Sequence, residues 1–155
     1  MKLKGIIFED CINYKKISMI LEFPYCAFKC GKEYCQNSSL AQSPNIDVSI
    51  PSIIKRYLDN PITSAVTCQG LEPFDSYNDL LSFVKQFRQQ CSDDIVIYTG
   101  YYKDEISDKI VELQQYPNII IKFGRFLPNQ TKHHDDILDV DLISNNQYAE
   151  RISWF

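Results

Sequence analysis

Four short apolar runs, separated by stretches of helical periodicity, restrict this chain more than any other feature. They are Ile17–Glu22, Ala65–Thr67, Ile95–Tyr98 and Ile119–Ile121. Between the first two, Val48–Leu58 reads as a helix with Pro51 in its first turn, and Asn60-Pro61 ends it. Between the second and third, Ser76 with Asp79 three residues on resembles a capping box. Leu80, Val84, Phe87 and Cys91 then recur on one helical face, which makes Cys91 a core residue. A third helix, Asp104–Gln114, turns Ile106, Ile110 and Leu113 inward. The order β-α-β-α-β-α-β predicts an α/β fold with a mostly parallel sheet and right-handed crossovers, either open or curved into part of a (βα) barrel. At 155 residues the chain is too short for a full eight-unit barrel.

With 45% of its residues hydrophobic and 23% charged, the chain is expected to form a single domain over 1–155. Its core spans about 13–126, and the tail 127–155 shows no assignable pattern. The net charge is -4, and no Lys/Arg run exceeds the pairs Lys15-Lys16 and Lys55-Arg56. That excludes the electrostatic footprint of a nucleic-acid binder. The N-terminal apolar stretch is too short for a signal peptide, and no run approaches a membrane span, so the expected compartment is the cytoplasm. There the six cysteines are expected as thiols or metal ligands rather than disulfides.

Parallel α/β folds place their ligands at the carboxyl ends of the strands. The unusual residues of this chain fall there. Cys26-Ala27-Phe28-Lys29-Cys30-Gly31-Lys32-Glu33-Tyr34-Cys35-Gln36-Asn37 follows the first strand and Cys68-Gln69-Gly70-Leu71-Glu72-Pro73 the second. Thr99-Gly100-Tyr101 follows the third and Gly124-Arg125-Phe126 the fourth.

Three cysteines lie within the ten residues Cys26–Cys35. A structural zinc site normally uses four Cys or His ligands, often as two separated pairs, and no second pair is present. His133 and His134 lie about a hundred residues away in an Asp-rich tail and read as a loop feature. Three thiolates suit a four-iron cluster with one iron left open for a small molecule. Cys68 reads as a buried thiol, Lys122 as a solvated surface residue, Tyr98 as core, and Arg125 as a rim cation; Cys11 carries no signal.

Three cysteines in a loop after the first strand, an aromatic, Tyr34, just before the last of them, and the turn Gly70-Leu71-Glu72-Pro73 after the second strand together resemble the radical S-adenosylmethionine enzymes. More narrowly, Cys35-Gln36-Asn37, Gln69-Gly70-Leu71-Glu72-Pro73 and Tyr98-Thr99-Gly100-Tyr101, in a chain of this length, resemble the activating proteins of anaerobic ribonucleoside-triphosphate reductase. The resemblance spans roughly residues 13 to 126. Two departures mark it. Four residues separate Cys30 from Cys35 where the family has two, and Leu71 stands where its Gly-Gly-Glu turn carries glycine. A turn needing positive φ there would resist leucine, so its backbone is expected to differ.

The resemblance implies a radical-SAM type of partial barrel with helices on the outer face. It implies a 4Fe-4S cluster held by Cys26, Cys30 and Cys35, with S-adenosylmethionine on the open iron. Tyr34, Asn37, Gly70, Glu72 and Tyr101 would contact that cofactor, Tyr34 at the adenine and Glu72 at the methionine ammonium. No catalytic residue is implied beyond the cluster and cofactor. The implied activity is glycyl-radical generation on the large subunit of the reductase, with electrons from flavodoxin or a similar carrier and no nucleic acid or membrane involved. Two other readings fit the same residues: a radical enzyme acting on another protein or a small molecule, and a non-catalytic module holding a cluster or zinc.

Overall fold

The computed structural model describes residues 1–155. In chain order the strands and helices are β1 (Lys2–Leu3), β2 (Gly5–Asp10), β3 (Ser18–Phe23), α1 (Ser38–Gln42), β4 (Ile46–Asp47), α2 (Ile50–Asp59), β5 (Ala65–Gly70), α3 (Tyr77–Arg88), β6 (Asp94–Tyr98), α4 (Ser107–Leu113), β7 (Ile119–Phe123), β8 (His133–Asp135), β9 (Val140–Leu142) and β10 (Tyr148–Arg151). Short 3-10 turns at Lys32–Tyr34, Pro73–Ser76 and Lys103–Ile106 precede α1, α3 and α4. No helix is long and apolar enough to cross a membrane.

The central sheet has six strands in the order β10-β7-β6-β5-β3-β2. β3, β5, β6 and β7 are parallel and lie side by side in chain order; β2 and β10 flank them antiparallel. The sheet is open, with β2 and β10 as its two ends. Because each crossover steps the same way and is right-handed, α2, α3 and α4 all fall on one face. Val66, Cys68, Ile95, Ile97, Ile119 and Ile121 point into that helix-covered core. Ala65, Val96 and Ile120 point the other way, against Tyr14, Leu138, Leu142 and Ala149. The tail therefore covers part of the second face.

Local chemistry accounts for the helices. Ser49 caps α2, its hydroxyl accepting from the Ser52 amide at 3.3 Å, with Pro51 in the first turn and Asn60 at the end. Ile50, Ile53, Ile54 and Tyr57 form its buried stripe, as Leu80, Phe83, Val84 and Phe87 do in α3.

Several expectations need correction. Ser76 stands at the N-terminus of α3, but its side chain makes no capping bond and its hydroxyl is buried without a partner. The helix is entered through the preceding 3-10 turn, which the Glu72 side chain caps at the Phe74 amide. Cys91 lies beyond the end of α3, half-buried against the core in the turn to β6. The helix read over Asp104–Gln114 starts as a 3-10 turn and becomes α-helical at Ser107, with Ile106, Ile110 and Leu113 buried as expected. β5 runs on through Gln69-Gly70 because the ladder with β3 continues to the pair Phe23 and Gly70. The tail read as patternless forms a hairpin and an edge strand. Its strands are three or four residues long, too short for periodicity to register.

Candidate metal centre and cofactor cavity

The carboxyl ends of β3, β5, β6 and β7 surround a cavity of about 420 Å³, within the roughly 300–1,000 Å³ usual for small-molecule sites. All four rim loops line it. Cys26, Cys30 and Cys35 come from the first, Gln69–Glu72 and Asp75 from the second, Thr99–Tyr101 from the third, and Gly124–Phe126 from the fourth. Ile12, Asn13, Val140–Ile143 and Gln147 line it as well.

The three cysteines are half-buried, and no disulfide forms among the six in the chain. Burial, with the nearby Glu72 and Asp75 charges adding to it, pushes the Cys26 thiol up to about 11, and burial raises Cys30 as well. These thiols stay protonated near neutral pH and give up protons when a cationic metal replaces them. No group of three or more His, Cys, Asp or Glu side chains is gathered tightly enough to hold a single metal ion. A four-iron cluster is a larger body, and thiols around it stand further apart than ligands around one ion. Three thiols on one loop, facing one cavity, fit such a cluster.

Phe28 holds a φ of 53°, a left-handed conformation that costs an aromatic residue about 1–3 kcal/mol. In return its amide points at the Cys26 sulfur, 3.2 Å away. Gly31, at φ 87°, makes the next reversal.

Glu72 is 4% exposed, buried rather than solvated. Its Oε1 accepts from Thr99 Oγ1 at 2.8 Å and the Phe74 amide at 3.1 Å, and its Oε2 accepts from the Gly100 amide at 2.8 Å. Burial raises the carboxyl to about 7 against those three bonds, which pull it down. Oε2 keeps one acceptor position open.

Lys122, expected at the surface, is 7% exposed and lines the same cavity. It follows Ile119-Ile120-Ile121 on β7, and the period of two turns it to the face opposite the helices. Its ammonium donates to the Gly124 carbonyl at 2.8 Å, and burial lowers it to about 8. Arg125 pairs with Glu105 at 2.6 Å, and its Nε is buried without a partner. The cavity lining thus carries charges of both signs, Glu22, Glu72, Asp75 and Asp141 beside Lys29, Lys122 and Arg125.

The other expected cofactor contacts separate. Tyr101 lines the cavity, donates to Asp75 Oδ1 at 2.5 Å, and lies under the Lys29 ammonium, 4.6 Å from its ring centre. Asn37 lines it too and donates to the Gly70 carbonyl at 2.8 Å, tying the end of the cysteine loop to β5 instead of capping α1. Gly70 lines it at φ 100°. Tyr34 is 46% exposed on the 3-10 turn and stands outside the cavity lining. Leu71 is not among the residues of positive φ; the reversal in this turn belongs to Gly70.

Cys68 is fully buried on the helix side of β5, away from the cavity. Tyr98 lines the cavity and donates to the Asn13 carbonyl at 2.6 Å. His133 and His134 lie on β8 rather than in a loop, and His134 is paired with Asp139 and Asp141 at 3.2 Å each. Asp75 and Glu105 escaped sequence reasoning, and Thr99 reads in the sequence only as part of a rim loop, because their bonds join loops brought together from distant parts of the chain.

Comparison with curated proteins finds no match. Among protein families, the 4Fe-4S single cluster domain matches residues 17–148, which takes in the cysteine loop, all four parallel strands and the tail hairpin. The chain is an iron–sulfur protein and belongs to the 4Fe-4S single cluster domain family.

Proposed function

We propose that this protein is a radical S-adenosylmethionine activating enzyme that takes a hydrogen atom from a glycine Cα of anaerobic ribonucleoside-triphosphate reductase. One observation carries the reading: three cysteines and buried charged groups of both signs line a single cavity at the carboxyl ends of four parallel strands. The methionine moiety of S-adenosylmethionine is a zwitterion, with an ammonium and a carboxylate to place.

Cys26, Cys30 and Cys35 would hold the cluster. That cluster would supply the single electron needed to cleave the sulfonium of S-adenosylmethionine, the chemistry by which a hydrogen atom would be taken from the partner's glycine and 5′-deoxyadenosine released. Glu72 Oε2, with its open acceptor position, receives the ammonium. Lys122 and Arg125, cations of the same lining, would meet the carboxylate. Tyr101, fixed through Asp75, presents a ring edge to the nucleoside. Ile12, Val140, Leu142 and Ile143 add apolar lining against which a partner's peptide loop would pack on entry. The partial-barrel form of the fold is part of this reading, supported by the one-sided placement of the helices.

The test is anaerobic reconstitution with iron and sulfide, dithionite reduction, and chromatographic assay of 5′-deoxyadenosine, with Cys30→Ala as control. Formation in the wild type and not in the variant supports radical chemistry, and adding the reductase subunit then identifies the substrate by its glycyl radical signal. A four-iron cluster that leaves S-adenosylmethionine intact, with or without the reductase subunit, favours a non-catalytic cluster module. Uptake of zinc in place of iron overturns the reading.

A further inference from the structure

We propose that Asp75 is a positioning residue for the iron–sulfur centre, fixing the cysteine loop beside Cys26 and holding a negative charge near the cluster that keeps its reduction potential low. The proposal rests on the cluster reading of the three cysteines, and not on the S-adenosylmethionine reading.

The backbone of the cysteine loop is mostly bonded to itself. Gly31 donates to Phe28, Tyr34 to Gly31 and Cys35 to Lys32, all within the loop. From Ala27 to Gln36, the only backbone hydrogen bond to another part of the chain is Ala27 N–H to Asp75 Oδ2, at 2.7 Å. The residue so anchored lies between Cys26 and Phe28. Phe28 has the left-handed backbone that aims its amide at the Cys26 sulfur. Release of Ala27 would free Phe28 to relax and withdraw that amide. The other ties act elsewhere: the Glu72 amide holds the Tyr25 carbonyl before Cys26 at 2.9 Å, Asn37 holds the Gly70 carbonyl beyond Cys35 at 2.8 Å, and Lys29 meets Glu105 at 3.3 Å through a long, half-exposed side chain that leaves the backbone at Ala27 and Phe28 free.

Asp75 is well placed to act as an anchor because its other oxygen is held from a third direction. Oδ1 accepts from the Tyr101 hydroxyl at 2.5 Å, so the carboxylate joins the cysteine loop, the Glu72 turn and the rim loop after β6. A carboxylate fixed one residue from a cluster ligand also repels an incoming electron. Cluster potentials respond to net charge and to hydrogen bonds on the sulfurs. The same residue therefore sets both the geometry and the charge.

Two variants separate these effects. Asp75→Asn can keep accepting from Ala27 through its carbonyl, so it removes the charge and reverses the Tyr101 bond, with the amide now donating to the hydroxyl, while the loop anchor stays. Asp75→Ala removes charge and anchor alike. Full-length wild type and variants are first compared metal-free by amide hydrogen exchange. Ala27 exchange is expected to match wild type in Asp75→Asn and to rise about ten- to a hundredfold in Asp75→Ala. Circular dichroism and thermal melting confirm that each chain is folded.

After anaerobic reconstitution, Asp75→Asn is expected to bind as much iron as wild type with a less negative potential, read by redox titration of its paramagnetic resonance signal. Asp75→Ala is expected to lose most of its iron. Wild-type Ala27 exchange and iron content in Asp75→Ala overturn the anchor. An unchanged potential in Asp75→Asn overturns the charge role. If the wild type binds no iron, the cluster reading of the cysteines fails, while the exchange measurement still decides the anchor.

Discussion

A Cβ on Gly70 would stand 2.7 Å from the Phe23 amide nitrogen. The two residues are the last pair of the β3–β5 ladder, and from that pair one strand leads into the cysteine loop while the other turns into Glu72. Gly70 also holds φ 100°, a region that side chains resist. This close approach brings the cluster loop and the buried carboxylate into one cavity. Gly70→Ala is expected to lower stability by at least about 2 kcal/mol through strain and displaced backbone. Urea denaturation of the metal-free protein measures it, and a loss below 0.5 kcal/mol, on the order of an ordinary surface change, contradicts the account.

The cysteines divide by face. Cys26→Ala, Cys30→Ala and Cys35→Ala should each remove the charge-transfer absorption of the reconstituted protein and most of its bound iron. Cys68→Ala lies across the sheet in the helix-side core and should retain both, losing about 1 kcal/mol of stability to a small cavity. Iron analysis with visible spectroscopy distinguishes the two groups.

Glu72 and Lys122 predict a trough in the stability of the metal-free protein. The unfolded Glu72 carboxyl ionises near 4.5 and the folded one near about 7, because burial opposes its charge. Between those values the native state holds a proton that the unfolded chain has released, so stability falls as pH rises. Lys122 is lowered from 10.5 to about 8, again by burial. Between 8 and 10.5 the unfolded chain holds the extra proton, and stability recovers as pH rises. Each arm contributes roughly 3 kcal/mol. Urea midpoints from pH 5 to 10 should show a minimum between about 7 and 8, with Glu72→Gln flattening the acid arm and Lys122→Met the alkaline one.

At the opposite end of the sheet, Asp94 is 5% exposed and accepts from Tyr14 at 2.9 Å, Lys16 at 2.6 Å and Arg151 at 2.9 Å. Burial alone would raise this carboxyl, but the three donors outweigh it and hold it below 3.8. Its contribution is present above the unfolded value and is lost as pH falls through the lower folded one. Asp94→Ala should cost about 3 kcal/mol, because it strands two cations and untethers both β10 and the segment before β3. A thermal melt at neutral pH and another near pH 3 test this. The difference between variant and wild type should shrink at the lower pH.

Much of the fold was legible because helical and strand periods alternate along the chain. Strands in sequential order with right-handed crossovers leave little choice for the central sheet, and the rim loops follow from it. The flanking strands were not legible. β2 and β10 are edge strands with exposed residues, and β8 and β9 have three residues each, so no local period announces them. Lys122 was misread for a related reason. Charge argued for water, but strand register turned it into the cavity.

Local chemistry in the chain was enough to establish three thiols in one loop, a glycine-glutamate turn opposite, and the alternation that sets both at one rim. These depend on neighbours within a few residues, where spacing and residue type carry the physics. Contacts between distant residues decided the rest: the burial of Glu72 and Lys122, the bond from Asp75 to Ala27, and the tail hairpin that covers the second face. Such features depend on desolvation and long-range packing, which exist only once separate segments have come together.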